Sequence, residues 1–363
     1  MKSYDLCVGT LRAVAFEVLE RVEKGGYASD LLALKIHHLD SRDAGLASEI
    51  VFGCLRFQAQ LDHLIARHTT SKRLDVEVRI ALRMGIYQLR YLERIPKHAA
   101  VSESVELVKC AGKRSAAALV NAVLRKIDRE PVEWPDRPTA LSCPSWLLDR
   151  WDRVYGEEMA GSIASACLKP PEKYVASTGR RQDIGSQSIV PLLDLRPGQT
   201  FLDLCAAPGN KTAQALEHGV QAVACDRYLH RIRHVPAQNC RRIVLDATQP
   251  LPFARQFDRV LVDAPCSGTG TLGRNPEIKW RLQPSDLSDL QGRQIKILAN
   301  ALRLVKPSGK LVYSTCSLEP EENEQVIRQF PGSWRSMRRI PGVDAGDGFF
   351  AAVVGLDLAP PND

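Results

Sequence analysis

Val260-Leu261-Val262-Asp263-Ala264-Pro265-Cys266-Ser267-Gly268 is an apolar run of strand character that stops on a carboxylate, a rigid proline and a thiol. A second run, Leu311-Val312-Tyr313, ends in the same manner in Ser314-Thr315-Cys316-Ser317. Ligands of open α/β sheets bind beyond the carboxyl ends of the strands, so two neighbouring strands could present both thiols to one substrate. Free cysteine is also among the most buried residue types, and the chain has 10, so either thiol alone reads as packing. The surrounding pattern separates the two readings.

Working outward from that stretch, apolar runs recur at Thr200 to Leu204, Ala222 to Cys225, Ile243 to Leu245, Arg259 to Val262 and Lys310 to Tyr313. Helix-compatible or loop segments separate them, the clearest helix being Leu287 to Val305. This alternation predicts a doubly wound, mostly parallel, Rossmann-like sheet. Four of the five strands carry an acid at or near the end: Asp203, Asp226, Asp246 and Asp263. After the first strand, Cys205-Ala206-Ala207-Pro208-Gly209-Asn210-Lys211 makes a small-residue loop that opens a helix at Thr212 and lets backbone approach a ligand closely. That loop is neither GxGxxG nor a phosphate loop, which disfavours dinucleotides and triphosphates there. Asp226 follows Asp203 at the spacing where an acid hydrogen-bonds ribose hydroxyls, and Asp246 could accept from an adenine amino group. One acid after a strand is more often a turn or helix cap; four in successive strands point to a nucleoside cofactor.

The first half reads as helices only. Leu11, Val14, Ala15, Val18, Leu19 and Val22 share one helical face that ends at Gly25-Gly26, and similar stripes run over roughly Asp43 to His68, Val76 to Leu92, Val101 to Val108 and Val120 to Ile127. These predict a compact all-α bundle. Basic residues recur on its polar backs, namely Arg79, Arg83, Arg90, Lys109, Lys113, Arg114, Arg125 and Lys126. Singly they read as solvated surface; as a set they suggest an RNA-facing patch. From Pro131 to Pro144 the composition shifts to proline without periodicity, marking a linker, and short helices near Trp146 to Tyr155 and Glu158 to Cys167 lead to Lys169-Pro170-Pro171. The expected division is 1–130 helical RNA-binding domain, 131–170 linker and connecting helices, and 171–363 catalytic domain.

At 363 residues, two domains with separate cores are expected, and 44% hydrophobic with 25% charged residues is ordinary for a soluble globular protein. No apolar run approaches a membrane span and no signal peptide is evident, so we expect a cytoplasmic protein without a membrane partner. The cysteines form no CxxC pair, which argues against zinc and against a disulfide framework, and no metal is expected. The formal net charge of +7 suits a polyanion without requiring one.

FLDLCAAPGNKT (201–212), DAPCSGTGTLGRNPEIKWRL (263–282) and LVYSTCSLEPEENEQVI (311–327), with DGFFAAVV (347–354), resemble the Sun (also called Fmu, or RsmB-like) family of S-adenosylmethionine-dependent RNA 5-methylcytosine methyltransferases. The helical half is similar to the NusB-like RNA-binding domain found in bacterial members. The resemblance implies S-adenosylmethionine as cofactor and ribosomal RNA as partner; a monomer is expected. It assigns cofactor contacts to Cys205, Ala206, Ala207, Pro208, Gly209, Asn210, Lys211, Asp226, Asp246 and Asp263. It makes Cys316 the nucleophile and Cys266 the thiol that helps release the product, with Asp263 and Lys211 as candidates to hold the cytosine edge. Residues 275–281, with Asn275-Pro276 and Lys279-Trp280-Arg281, match a further family motif. The chemistry demands such groups: carbon 5 of cytosine is a poor nucleophile until a thiolate adds at carbon 6.

This chain departs from the family pattern in one region. Pro170-Pro171-Glu172 is followed almost at once by Tyr174-Val175-Ala176-Ser177-Thr178-Gly179 and Gln182-Asp183, where members usually carry a sizeable RNA-gripping segment. Asn210 stands where glycine is common. Two other readings stay open: Cys266 as the nucleophile, as in DNA cytosine-5 methyltransferases, and a non-catalytic RNA-binding or assembly factor on the same scaffold. Amino-group methylation lacks its Asp/Asn-Pro-Pro-aromatic signature here.

Overall fold

The computed structural model describes residues 10–69, 73–176 and 178–355; Ser177, in the shortened stretch, lies outside them. The chain forms two compact units, residues 1–170 with 272–281, and residues 171–271 with 282–363.

The first unit is helical. Helices Thr10–Glu23, Ala28–Lys35, Ser41–Arg56, Gln58–His68, Val76–Tyr91, Lys97–Cys110 and Ala117–Arg125 close over one core that includes Phe16, Ile50, Leu61, Leu82, Met84, Leu107 and Val123. Two differences from the expected bundle have local causes. The stripe from 43 to 68 is two helices, because Phe57 leaves helical dihedrals (φ −99°, ψ 16°) and acts as the C-cap of one and the N-cap of the next. The helix Ala28–Lys35 had no sequence signal, since its apolar residues do not gather on one face strongly enough to show as a stripe. Within the proline-rich span, Asp136 caps a single turn at Arg137–Ala140 through Thr139 N, with Pro138 in its first turn, where a missing N–H costs nothing.

The family motif at 275–281 belongs to this helical unit, although it lies in the second half of the sequence. Its side chains satisfy helix ends, where backbone groups lack intrahelical partners. Trp280 Nε1 donates to Leu55 O at 2.7 Å and Lys279 Nζ to Arg56 O at 2.9 Å, at the end of Ser41–Arg56. Glu277 accepts from Ala28 N at 3.0 Å, at the start of Ala28–Lys35, and Arg281 donates to the carbonyls of Gly25 and Gly26.

The second unit is a seven-stranded sheet with helices. Its strands are β1 (Thr200–Asp203), β2 (Gln221–Asp226), β3 (Cys240–Val244), β4 (Phe257–Asp263), β5 (Val305–Thr315), β6 (Trp334–Arg339) and β7 (Phe349–Gly355), in the order β3-β2-β1-β4-β5-β7-β6. The first five are parallel; β7 runs antiparallel to β5 and β6. Central strands covered on both faces are apolar throughout. Leu202, Val260, Val262, Leu311 and Tyr313 pack on one face with Ile297 and Leu298 of the helix Pro284–Leu302. Phe201, Leu261 and Val312 pack on the other with Ile189, Val190 and Leu193.

The doubly wound class expected from sequence is thus the observed one, with corrections at its edges. β3 begins at Cys240, three residues before the apolar run, because an edge strand needs little burial: Arg241 and Arg242 sit in it exposed. The strands β6 and β7 extend the sheet beyond the five expected.

Candidate active site

Register brings the chemistry together. Asp263 of β4 pairs with Ser314 of β5, so the chain leaves both strands side by side three residues before Cys266 and two before Cys316. The thiols meet there with Sγ to Sγ 3.4 Å apart, a hydrogen bond rather than a disulfide. Both are half-buried. Two thiols this close do not both ionise, since a second negative charge beside the first is disfavoured. The hydrogen bond to Cys316, then burial and the nearby charges of Cys316 and Glu322, push the Cys266 thiol well above its ordinary range.

Beside the thiols stands an ion pair. Lys211, at the start of the helix Asn210–Leu216, donates from Nζ to Asp263 Oδ2 at 2.6 Å, and Ser314 Oγ donates to Asp263 Oδ1 at 2.8 Å. Lys211 is buried and its Nζ lies 5.2 Å from the centre of the Phe349 ring. Burial works against its charge, but the charge and hydrogen bond of Asp263, then Cys316, outweigh that and raise its pKa. The ammonium is therefore present at neutral pH within electrostatic reach of the Cys316 sulfur.

The other expected acids line the carboxyl ends of β1, β2 and β3. Asp203 closes β1, wholly buried; its Oδ2 accepts from Thr212 Oγ1 at 2.7 Å and its Oδ1 has no partner. Burial lifts its pKa to about 7, against the Thr212 bond. Asp226 closes β2 and accepts from Tyr228 N at 2.9 Å, with Arg231 3.9 Å away. Asp246 follows β3 by two residues; hydrogen bonds from Thr248, aided by Arg227 and opposed by slight burial, lower its pKa. Between them the loop Cys205 to Gly209 is built of small residues, and Cys205 sits among Asp203, Asp263 and Asp226, its thiol pushed up by burial and by those charges. Gly209 holds φ +110°, and a Cβ there would come within 2.8 Å of Val235 Cα, so the turn requires glycine. Asn210 is the first residue of the following helix and takes ordinary helical geometry, which is why a side chain fits where glycine is common.

This donor set suits S-adenosylmethionine. Carboxylates at the ends of adjacent strands can accept from ribose hydroxyls and an amino group and favour a cationic ligand, while the small loop permits close approach. The nearby cations Lys211, Arg227 and Arg231 each face one of the acids.

Three features were misread or missed in the sequence. Gly268-Thr269-Gly270-Thr271-Leu272-Gly273 has dinucleotide-loop spacing, yet a Cβ at Gly270 would lie 2.4 Å from Gly348 O and 2.8 Å from Cys316 O; this glycine serves backbone packing, not phosphate. Arg83, placed on a solvated back, is buried, with Asp62 and Glu23 on its guanidinium. Arg79, Lys109 and Lys113 face acids as well, so the patch of eight shrinks on the surface to exposed residues such as Arg114, Arg125 and Lys126. Third, Glu322 has no role of its own in the sequence reading of the motif 311–327, yet it is fully buried. It accepts from Ser267 N at 2.8 Å, from Ser267 Oγ, from Ser317 Oγ at 2.5 Å and from Gln294 Nε2 at 2.9 Å.

Comparison with known proteins follows the same division. The profile of the 16S rRNA methyltransferase RsmB/F family matches residues 190–338, and that of the NusB family residues 10–129. The chain is 32% identical to ribosomal RNA small subunit methyltransferase B of Cronobacter sakazakii over 422 aligned positions, covering 94% of this chain and 97% of that one. The protein of the same name from Escherichia coli is 32% identical over 426 positions, with the same coverage. Those alignments are longer than the 363-residue chain, so the relatives carry segments with no counterpart here. Among solved structures, PH0851 superposes over 94% of this chain and 97% of its own with a TM-score of 0.77 at 22% identity, a likeness of fold. A methyltransferase homologue from Pyrococcus horikoshii matches 62% of this chain and all of its own, with a TM-score of 0.51 at 25% identity. By its sequence relatives along nearly its whole length, the chain belongs to the ribosomal RNA small subunit methyltransferase B (RsmB/F) family of S-adenosylmethionine-dependent methyltransferases.

Proposed function

We propose that this protein methylates carbon 5 of a cytosine in small-subunit ribosomal RNA through a covalent bond from Cys316. The observation that carries this reading is the pair of sulfurs 3.4 Å apart beside the Lys211–Asp263 ion pair, at the strand ends where the cofactor acids also lie. An ordinary thiol is only a few per cent thiolate at neutral pH. Here the Lys211 ammonium and the Cys266 thiol stand beside the Cys316 sulfur, where they can meet charge that develops on it.

Cys316 Sγ adds to carbon 6, and the electrons of the 5,6 double bond make carbon 5 nucleophilic. Asp263 accepts from the exocyclic amino group and Lys211 donates to the ring edge, steadying the charge that the ring gains. S-adenosylmethionine bound there would supply an electrophilic methyl group on a cationic sulfur, the methyl–sulfur bond breaking to leave a neutral thioether. Carbon 5 then carries both a methyl and a hydrogen. Loss of that proton to a base restores the double bond, and the carbon–sulfur pair leaves on Cys316, where the Cys266 S–H hydrogen-bonds the departing thiolate. Asp226 is assigned to the ribose diol, Asp246 to the adenine amino group and the loop 205–210 to backbone contact. The target must be unpaired or flipped out of its stack. Positive residues that stay exposed on the NusB-like unit, Arg114, Arg125 and Lys126, are the candidates there for phosphate contact.

The test is to map 5-methylcytosine in ribosomal RNA from cells with and without this protein. One site lost on deletion and restored by the wild-type chain supports the reading. An unchanged map, together with no binding of S-adenosylmethionine, would favour a non-catalytic RNA-binding factor.

A further inference from the structure

The two cysteines are each the middle residue of a three-residue arc, Pro265-Cys266-Ser267 and Thr315-Cys316-Ser317. Both arcs are held by one buried group of side chains. Glu322 accepts from Ser267 twice and from Ser317 once, and Gln294 Nε2 bridges Glu322 to Pro265 O at 3.0 Å. Its neighbour Asn323 accepts from Thr315 Oγ1 at 2.5 Å and donates to Ser317 O at 2.9 Å. Glu322, Asn323 and Gln294 are all fully buried. A buried carboxylate costs several kcal/mol unless its oxygens are satisfied, and neutral donors satisfy these. Burial raises the Glu322 pKa and the hydrogen bonds from Ser267, Ser317 and Gln294 oppose that rise, so the site is built of donors around a group that accepts at both oxygens.

The geometry points to Glu322 as the positioning residue that holds the Cys266 and Cys316 arcs together and, by its negative charge beside Cys266, keeps the shared proton on Cys266. This inference rests on the two-cysteine reading above. Around the pair, Glu322 takes two hydrogen bonds from Ser267 beside Cys266 and one from Ser317 beside Cys316, Lys211 and Ser314 both donate to Asp263, and Tyr313 donates its hydroxyl to Glu322 O at 2.6 Å. The asymmetry decides which sulfur becomes the nucleophile. Two loops with the same Cys-Ser ending would otherwise be equivalent.

The test is alkylation of the intact protein by iodoacetamide between pH 6 and 9, read separately at each cysteine by mass spectrometry. In the wild type Cys316 should react at least tenfold faster than Cys266 at pH 7. In Glu322→Gln that ratio should fall at least fivefold, and Glu322→Asp should recover part of it. A merely structural role would raise both rates together. Ser317→Ala removes the single bond from the Glu322 carboxylate to the Cys316 arc; it should lower the ratio about threefold, and it keeps the test alive if Glu322→Gln fails to fold. A ratio within twofold of wild type in Ser317→Ala, or in folded Glu322→Gln, overturns the inference. Because alkylation needs neither RNA nor cofactor, its failure is distinct from failure of the proposed reaction, which absence of any RNA adduct in Cys266→Ala would signal.

Discussion

Asp203→Asn should make the sheet unit more stable in alkali and less stable in acid, and the size of the effect follows from burial. In the folded protein the Asp203 carboxyl is wholly enclosed and titrates at about 7 rather than 3.8. The folded state therefore keeps a proton that the unfolded chain releases. Stability attributable to this residue is fully present below about pH 4, falls as pH rises towards 7 and is flat beyond, a loss of about 4 kcal/mol at ~1.4 kcal/mol per unit. Asparagine never ionises. Its carbonyl can keep the Thr212 bond, but its amide takes the place of the unpartnered Oδ1 and leaves a buried donor that costs about 1–2 kcal/mol. Relative to wild type, the variant should gain about 2–3 kcal/mol at pH 8 and come out about level or slightly weaker at pH 5. Hydrogen exchange of the β1 and β4 amides in the full chain at pH 5, 6.5 and 8 measures this within the affected unit. A difference between variant and wild type that does not change with pH would refute the argument. Binding of S-adenosylmethionine should move the other way, since the variant removes a negative charge from under the cofactor loop.

Lys279 offers the converse case in the helical unit: burial lowers its pKa to about 8, so stability rises as pH increases from 8 to 10.5 and the charged amine costs about 3 kcal/mol at pH 7. Lys279→Met removes that cost but leaves Arg56 O without its donor, so a net gain of about 1–2 kcal/mol is expected at pH 7 and a loss near pH 10.5, read by denaturant melts. Two glycines of the helix Ser41–Arg56 should behave oppositely. A Cβ at Gly53 would lie 1.9 Å from Tyr87 Cζ and should cost at least ~1–3 kcal/mol, whereas Gly45 has open space, and Gly45→Ala should stabilise by about 0.5–1 kcal/mol in the same denaturant melts.

What the sequence made legible was whatever repeats with a period or ends on a chemically unusual residue. The apolar runs Leu202, Val260 to Val262 and Leu311 to Tyr313 announced the central strands because both faces are buried. Their terminal acids and thiols then marked the site. The edge of the sheet was less visible, since Arg241, Arg242 and the arginines of β6 are tolerated where one side faces solvent. Long-range polar burial was invisible. Arg83 looks like any helix-surface arginine until Asp62 and Glu23 close on it, and Glu322 looks like one of a run of surface acids until Ser267, 55 residues earlier, donates to it. The motif at 275–281 was recognisable as a motif, but its work of capping helix ends more than 200 residues away, as in Trp280 to Leu55, depends on tertiary placement that spacing does not encode.

The assignment of roles to the two sulfurs is most directly tested by incubating each cysteine variant with S-adenosylmethionine and target RNA and resolving the products under denaturing conditions. Cys266→Ala should accumulate a protein–RNA adduct that survives denaturation, because bond formation at Cys316 persists while its release is slowed, and Cys316→Ala should form none. An adduct that persists in Cys316→Ala and disappears in Cys266→Ala would contradict the account and make Cys266 the nucleophile.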